Sequence, residues 1–372
     1  MLRRRIPDLG RGGGALQVRP RDAVITGSGS PEASGKAAYL RSGVDLEAGH
    51  RAVDLIRELA GRTSRPEVVG GIGGFAGLVK LGDGRLLVAS ADGVGTKLEI
   101  ARLARQVHTV GIDCVAMCAN DVICTGAEPL FFLDYLAVGR LIPEEVAAIV
   151  AGVAEGCRRA GCALLGGETA EHAGTLEPGR FDLAGFCVGI VDEATLLGPE
   201  KVARGDVLLG LPSSGLHSNG FSLVRRVMLE SGRALDQVVP ELGRTLGAEL
   251  LEPTAIYVRP VLELAQAGLA HTAAHITGGG WTENVPRALG PGLGARIDRQ
   301  AWTPQPIFAV IAQAAGIDPG DLFGVLNMGI GMVVAVARDA ADQALDVCRA
   351  AGIQATVVGE VTKEPGIRFG AS

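Results

Sequence analysis

A chain of 372 residues has room for two domains, each able to bury its own core. Its 47% hydrophobic and 20% charged residues describe an ordinary globular protein, while a net charge of −6 with only 4% aromatics argues against a nucleic-acid partner. Seven cysteines without regular spacing fit a reducing, cytoplasmic setting better than a disulfide framework, and the longest apolar runs, such as residues 332–337, are too short to span a bilayer.

The first 38 residues hold six Arg and one Lys against two Asp and one Glu, with no hydrophobic periodicity. Residues 1–38 are therefore expected to form a disordered or transit-like extension. A helix is expected over residues 46–60, with Val53, Ile56 and Leu59 on one face. The run Gly70-Gly71-Ile72-Gly73-Gly74 reads as a purposeful loop. An apolar strand over 86–91 leads to helices from Lys97 and over 112–124, and then to a strand over 129–138. A helix over 143–160 has Pro143, Glu144 and Glu145 in its first turn and Gly161 to end it. Strands over 163–165 and 183–191 complete an alternating pattern. A break in periodicity near 201–206 divides expected domains at 39–205 and 206–372. The second half should hold strands at 207–211, 295–297, 331–337 and 356–361. Its helices are expected near 220–230, 260–267, 282–289, 306–314 and 340–350.

The segment Asp92-Gly93-Val94-Gly95-Thr96-Lys97 follows the strand over 86–91. Glycines let backbone N–H groups approach anionic oxygens, Lys97 adds a point charge, and Asp92 is a hard oxygen ligand of the kind Mg²⁺ prefers. It is not a Walker A loop. Asn120-Asp121 lies within an otherwise apolar helix, where Asp121 either ligates or pairs, or faces solvent. Glu168, beside Gly166 and Gly167, reads as a metal ligand or ribose partner, whereas Thr169 and Glu171 fit ordinary capping. Ser213, Ser214, His217, Ser218 and Asn219 precede a helix whose amides would welcome phosphate. His275, Thr277, Gly278 and Gly279 form another glycine loop with a titratable histidine. A Ser–His hydrolase is disfavoured because no Gly-x-Ser-x-Gly elbow is present.

Together these segments resemble phosphoribosylformylglycinamidine cyclo-ligases over about residues 39–361. The likeness rests on 65–75 (RPEVVGGIGGF), 90–98 (SADGVGTKL), 126–135 (GAEPLFFLDY), 184–189 (AGFCVG), 213–223 and 327–332 (NMGIGM). The resemblance implies a two-domain α+β synthetase fold and a homodimer whose N-terminal domains, mixed sheet and helices, build an intersubunit β-barrel, with a C-terminal α+β domain. It implies ATP-dependent ring closure of formylglycinamidine ribonucleotide to 5-aminoimidazole ribonucleotide, through phosphorylation of the formyl amide oxygen. On that basis Gly71, Gly73, Gly74, Asp92, Gly93, Gly95, Thr96, Lys97, Asn120, Asp121 and Glu168 are expected to bind ATP, with Mg²⁺ on Asp92 and Asp121. Ser213, Ser214, His217, Ser218, Asn219, Thr277, Gly278 and Gly279 are expected to bind the ribonucleotide. Lys97 is expected to act in catalysis, together with His217 or His275 as proton carrier. The need for a monovalent cation stays open. The chain departs from the family pattern at Leu40, where a lysine is usual, at His172-Ala173 in place of Met-Pro, and at Trp281, one place from the usual indole position. Two other readings are a kinase-like activator of a different small acid or amide on the same scaffold, and a non-catalytic dimer.

Overall fold

The computed structural model describes residues 31–370. The first half runs α1 (Pro31–Arg41), α2 (Leu46–Gly61), β1 (Val68–Val69), β2 (Gly77–Lys80), β3 (Arg85–Gly93), α3 (Lys97–Ala104), α4 (His108–Ile123), β4 (Glu128–Val138), α5 (Pro143–Ala160), β5 (Ala163–Glu171) and β6 (Phe181–Asp192). The second half runs β7 (Val207–Pro212), α6 (Phe221–Val224), β8 (Val238–Val239), β9 (Arg244–Thr245), α7 (Leu246–Leu250), α8 (Val258–Gln266), β10 (Ala270–His275), α9 (Gly280–Leu289), β11 (Gly294–Ile297), α10 (Pro306–Ala315), β12 (Ile330–Val336), α11 (Ala341–Ala350), β13 (Thr356–Thr362) and β14 (Gly366–Phe369).

Two mixed six-stranded sheets result, ordered β1-β2-β3-β6-β4-β5 and β10-β12-β7-β13-β11-β14. In the first only β4 and β5 run parallel, joined by α5. Along β3 the side chains alternate, with Leu86, Val88 and Ser90 turned into the core and Ala89 and Ala91 exposed. The inward face packs on α4, which is buried along most of its length. The outward face carries Leu165, Phe186, Leu130 and Tyr135, all exposed.

Backbone proximity explains the fit of α4 on α5. A side chain at Gly111 would meet the Ile149 carbonyl and the Val153 amide, and one at Gly152 would meet the His108 carbonyl. α5 begins with Pro143 at its first helical position and ends at Gly161 in the left-handed conformation, φ 72°.

Several elements differ from expectation. Pro31–Arg41 is a helix rather than part of an unstructured extension, because Ala38 and Tyr39 are buried and Gly35 sits against the Asp321 carbonyl. The rest of that expected extension, residues 1–30, lies outside the described residues. α2 forms as expected, yet none of its side chains is buried and Val53, Ile56 and Leu59 stay exposed. The strand begun at Ala163 continues to Glu171, because β4 offers a parallel ladder as far as Val138. Where one helix was expected over 220–230, a single α-turn passes into a π-turn, Arg225–Leu229.

Gly152→Ala should lower stability by about 2 kcal/mol or more, since overpacking here presses a methyl onto backbone that cannot rotate away. Chemical denaturation of the variant would read this directly, and an unchanged midpoint would mean the two helices can part.

Candidate active site

The site forms where the end of β3, the last turn of α4 and the end of β10 converge. From Met117 to Ile123, Asp121 alone is not fully buried. Its Oδ1 lies 3.0 Å from His275 Nδ1, and its Oδ2 accepts a bond from Ser90 Oγ at 3.4 Å. Neighbouring Asn120 is buried and spends its amide on the second half, accepting from the Tyr257 N–H at 2.9 Å and donating to the Ala255 carbonyl at 2.9 Å. The same Nδ2 sits 3.4 Å from His275 Nε2. That network assigns Nε2 as acceptor and Nδ1–H as donor to Asp121.

Asp92 adjoins this group. Burial, followed by the charge of Asp121, pushes its carboxyl up to about 6, against smaller pulls downward from the Gly93 N–H and His275. The Gly93 amide donates to Asp92 Oδ1 at 2.7 Å. An acid raised by burial and then by a second acid is relieved by a shared proton or by a bound cation.

A cleft of about 1140 Å³ opens beside Ser90, Ala91 and Asp121, walled by the glycine loop at residues 70–74. A second cavity of about 890 Å³, lined by Gly278, Asn284 and Arg368, shares Arg57, Gly73 and Arg287 with the first. Arg287 fastens the dividing wall. It donates to the carbonyls of Gly73 at 3.2 Å and Gly74 at 2.8 Å, and its guanidinium lies over the Phe75 ring at 4.2 Å. Arg57 holds the loop's other side through the Ile72 carbonyl at 3.2 Å.

Other expected residues are placed elsewhere. Lys97 is fully buried, with its ammonium on Asp113, the His217 carbonyl at 3.0 Å and the Glu252 carbonyl at 2.7 Å. Burial lowers its pKa against the opposing effect of Asp113. It thus presents no free cation to a phosphate. His217 is also interior, at φ 62°, its Nε2 accepting from the Ser214 and Ala255 amides at 3.2 and 3.4 Å. Desolvation, then the nearby His275 and Lys97, hold it neutral, its pKa well below 6.5. His275 is equally buried with both ring nitrogens engaged, whereas His217 Nδ1 is buried without a hydrogen-bond partner. Ser213 and Ser214 spend their hydroxyls on Asn327 and on the Pro253 carbonyl, and Ser218 spends its own on Thr254. Thr277 bonds Asn284 and Gly279 is the N-cap of α9, while exposed Gly278 borders the second cavity near Asn219. Thr96 is exposed beside Ser222, and Gly95 turns at φ 71° with open space around it.

Glu168 is not brought to this cleft within one chain. Gly93, Ala184, Tyr135 and Glu168 stand in one row across the sheet, so three strand spacings, about 14 Å, separate the first from the last. At the departures from family pattern, Leu40 is exposed, His172 Nε2 lies 3.2 Å from the Tyr135 hydroxyl, and buried Trp281 donates to the Asn327 carbonyl at 2.9 Å.

This arrangement matches known sequences. The AIR synthase related protein family matches twice, its N-terminal domain over residues 73–191 and its C-terminal domain over residues 203–371. A phosphoribosylformylglycinamidine cyclo-ligase of Shouchella clausii (strain KSM-K16) is 52% identical over 90% of this chain and 98% of its own length. The chain belongs to the phosphoribosylformylglycinamidine cyclo-ligase family. A further member, from Geobacillus kaustophilus (strain HTA426), is 49% identical over 89% of this chain and 97% of that protein. In fold the chain is similar to tt0281 from Thermus thermophilus, with TM-score 0.61 and 23% identity over 85% of this chain and 96% of that one.

The sequence reading of this cyclo-ligase family member missed Arg57 and Arg287. The signal for Arg287 was its place four residues after Glu283 on the helix that follows the glycine loop, one turn along the same face. For Asp92 the energetics give a sign. Its carboxyl titrates near 6 in the folded chain against an ordinary 3.8. Folding therefore retains a proton that the unfolded chain releases, and the group's contribution is full below about pH 4 and lost as pH rises through about 6. Asp92→Asn should accordingly be more stable than the parent at pH 7.5, by about 3 kcal/mol at most, with the gap closing toward pH 4. Thermal unfolding at the two pH values tests this; equal gaps at both would show that Asp92 is not strained.

Proposed function

We propose that this cleft closes the imidazole ring of formylglycinamidine ribonucleotide at the expense of ATP, releasing ADP and phosphate. The observation that carries the reading is the pair of adjoining cavities with one shared wall, Arg57, Gly73 and Arg287, and Asp121 at the rim of the larger. Two substrates must meet across a short distance, and two compartments with a common wall hold them so.

In this reading ATP lies along the glycine loop, and the ribonucleotide lies toward Gly278, Asn284 and Arg368. Arg287 and Arg57 sit where charge builds up during transfer, and fixed cations there favour the transition state over the ground state. The formyl amide oxygen takes the γ-phosphoryl group and ADP leaves. A substrate nitrogen then bonds to the activated carbon as phosphate departs, and the leaving phosphate is the base at hand for the displaced proton. His275 acts on Asp121 rather than on the substrate, fixing the carboxylate's orientation through Nδ1–H.

Asp92 and Asp121 fit Mg²⁺. Among the described residues no group of three or more His, Cys, Asp and Glu forms a metal cage, and Mg²⁺ in nucleotide sites takes one or two carboxylates, leaving its other positions to phosphates and water. When bound it would neutralise the transferring phosphoryl oxygens. A homodimer completes the reading. The exposed apolar outer face of the first sheet, with Phe186 50% and Leu165 65% accessible, suits burial against a second copy, and edge strand β5 would bring Glu168 to that junction.

ADP release coupled to NADH oxidation should require the ribonucleotide, and Asp121→Asn should cut turnover by roughly 100-fold or more with its unfolding temperature retained. Turnover without the ribonucleotide would move the assignment to another acceptor, and near-parental rates in the variant would remove Asp121 from the site. Sedimentation should give twice the 38.2 kDa chain mass, and Phe186→Asp should shift it to monomer.

A further inference from the structure

A separate cavity of about 400 Å³ lies at the opposite end of the N-terminal half, and nothing in the ring-closing reaction uses it. It is bordered by the last turn of α3, the starts of α4 and α5, the end of β4 and the start of β6. Asp121 lies thirteen residues along α4 from His108, about 20 Å away.

Three independent features give this cavity one electrostatic character. Four arginines line it, Arg102, Arg105, Arg140 and Arg180, against a single lining carboxylate, Glu145. Glu99 gathers two of them, with Arg102 bound through both oxygens at 2.6 and 2.9 Å and Arg180 at 3.2 Å. Arg180 also pairs with Glu177. Among the described residues Arg105 and Arg140 make no ion pair, so their charge is unspent. The rim is rigid, because the Gly139 N–H donates to the Arg180 carbonyl at 2.9 Å and sets Arg140 and Arg180 side by side.

The second feature is the backbone. Val107 and Ile142, both lining the cavity, are the N-caps of α4 and α5, and neither cap supplies a side-chain hydrogen bond. α4, with no acid in its first turn, directs unsatisfied amides and the positive end of its dipole at this place, and the start of α5, with Pro143 and the acids Glu144 and Glu145, adjoins it. The third is the floor, where Val138, Val146, Ile149 and Phe181 are apolar and at least half-buried. A free inorganic anion would leave that floor uncovered. A ligand with a flat, weakly polar body and a phosphate head covers the floor and meets the arginines, and the volume lies in the range of small-molecule sites.

We propose that this cavity is a second binding site, for a nucleoside phosphate, distinct from the cleft at Asp121. The arginines and the start of α4 hold the phosphates, and the base lies on Phe181 and Ile149. α3 runs from Lys97, buried at the junction with the second half, to Arg102 and Arg105 beside this cavity. The assignment does not depend on which substrate is cyclised.

Calorimetric titration of the full chain with ADP and excess Mg²⁺ at low salt tests it. The parent should bind two molecules per chain. The double variant Arg105→Ala with Arg140→Ala should bind one and keep ribonucleotide-dependent turnover within about twofold, as neither side chain reaches the cleft. Asp121→Asn should lose turnover yet keep the site that the double variant loses. Should the double variant unfold early, Arg140→Glu, an exposed charge reversal, is the second probe and should weaken the same site at least tenfold. One site per chain in the parent, or two in the double variant, overturns the proposal.

Discussion

Lys97 and Asp113 meet with neither side chain exposed to solvent, and the placing of everything at the cleft depends on them. Asp113 Oδ2 lies 2.8 Å from the ammonium without hydrogen-bond alignment, and Oδ1 accepts from Lys97 at 3.0 Å and from the Thr254 amide and hydroxyl at 2.7 and 2.6 Å. Lys97 in turn reaches two carbonyls of the second half. Removing one partner from such a pair costs on the order of 3–5 kcal/mol, because a charge is left buried alone, whereas the exposed pairs of this surface are each worth about 1 kcal/mol or less. Position along α4 then does the rest. Asn120 and Asp121 lie two turns beyond Asp113 on a helix whose place is already fixed, and they arrive at Tyr257 and His275 in register. Lys97 works as a fastening between the halves, and the fastening aims the acids.

That distinction shows what sequence could and could not convey. Periodicity found α5 at its observed ends and most long strands to within two residues, since each has an uninterrupted apolar stripe. Short strands such as β2 and β14 escaped because Gly77–Lys80 and Gly366–Phe369 carry too few apolar residues for a period to register. The glycine loop, Asp92 and Asp121 were legible as chemistry, because each is out of character with its neighbours. The direction in which a side chain points was not. Lys97, His217 and His275 are the residue types a phosphoryl-transfer site needs, and they are also the types that satisfy buried carbonyls and amides. Only the tertiary arrangement, with Asp113 and Glu252 on one side and Ala255 on another, assigns them to the interior. Arg287 shows the converse, an ordinary surface arginine by pattern that the fold makes into the wall between two cavities.

The open faces follow a different physical rule. α2 has the spacing of a core-facing helix, yet Val53 and Ile56 border the two cavities instead of packing on the core. The outer face of the first sheet has the strand alternation of a two-sided barrel wall and is covered on one side only. Burying a large apolar side chain is worth about 1.5–3 kcal/mol, so surfaces of this kind are kept where something else covers them. For the sheet that cover is the proposed second copy, with long strands and the edge strand β5 available to continue the ladder. For α2, held by His50 on Glu283 and Arg57 on the glycine loop, the fitting cover is what occupies the cleft.

The two halves of the molecule divide the electrostatic labour at the cleft. The first half brings Arg57 and the carboxylates, where burial and then the charge of Asp121 raise Asp92, and the second half brings Arg287 together with the glycines at 278 and 279. A polyphosphate carrying a divalent cation answers both at once, its metal relieving the acids and its oxygens meeting the guanidinium. A nucleotide bound without its cation would meet Asp92 and Asp121 with like charge. The buried pair at Lys97 and Asp113 holds α4, and with it these acids, against the second half.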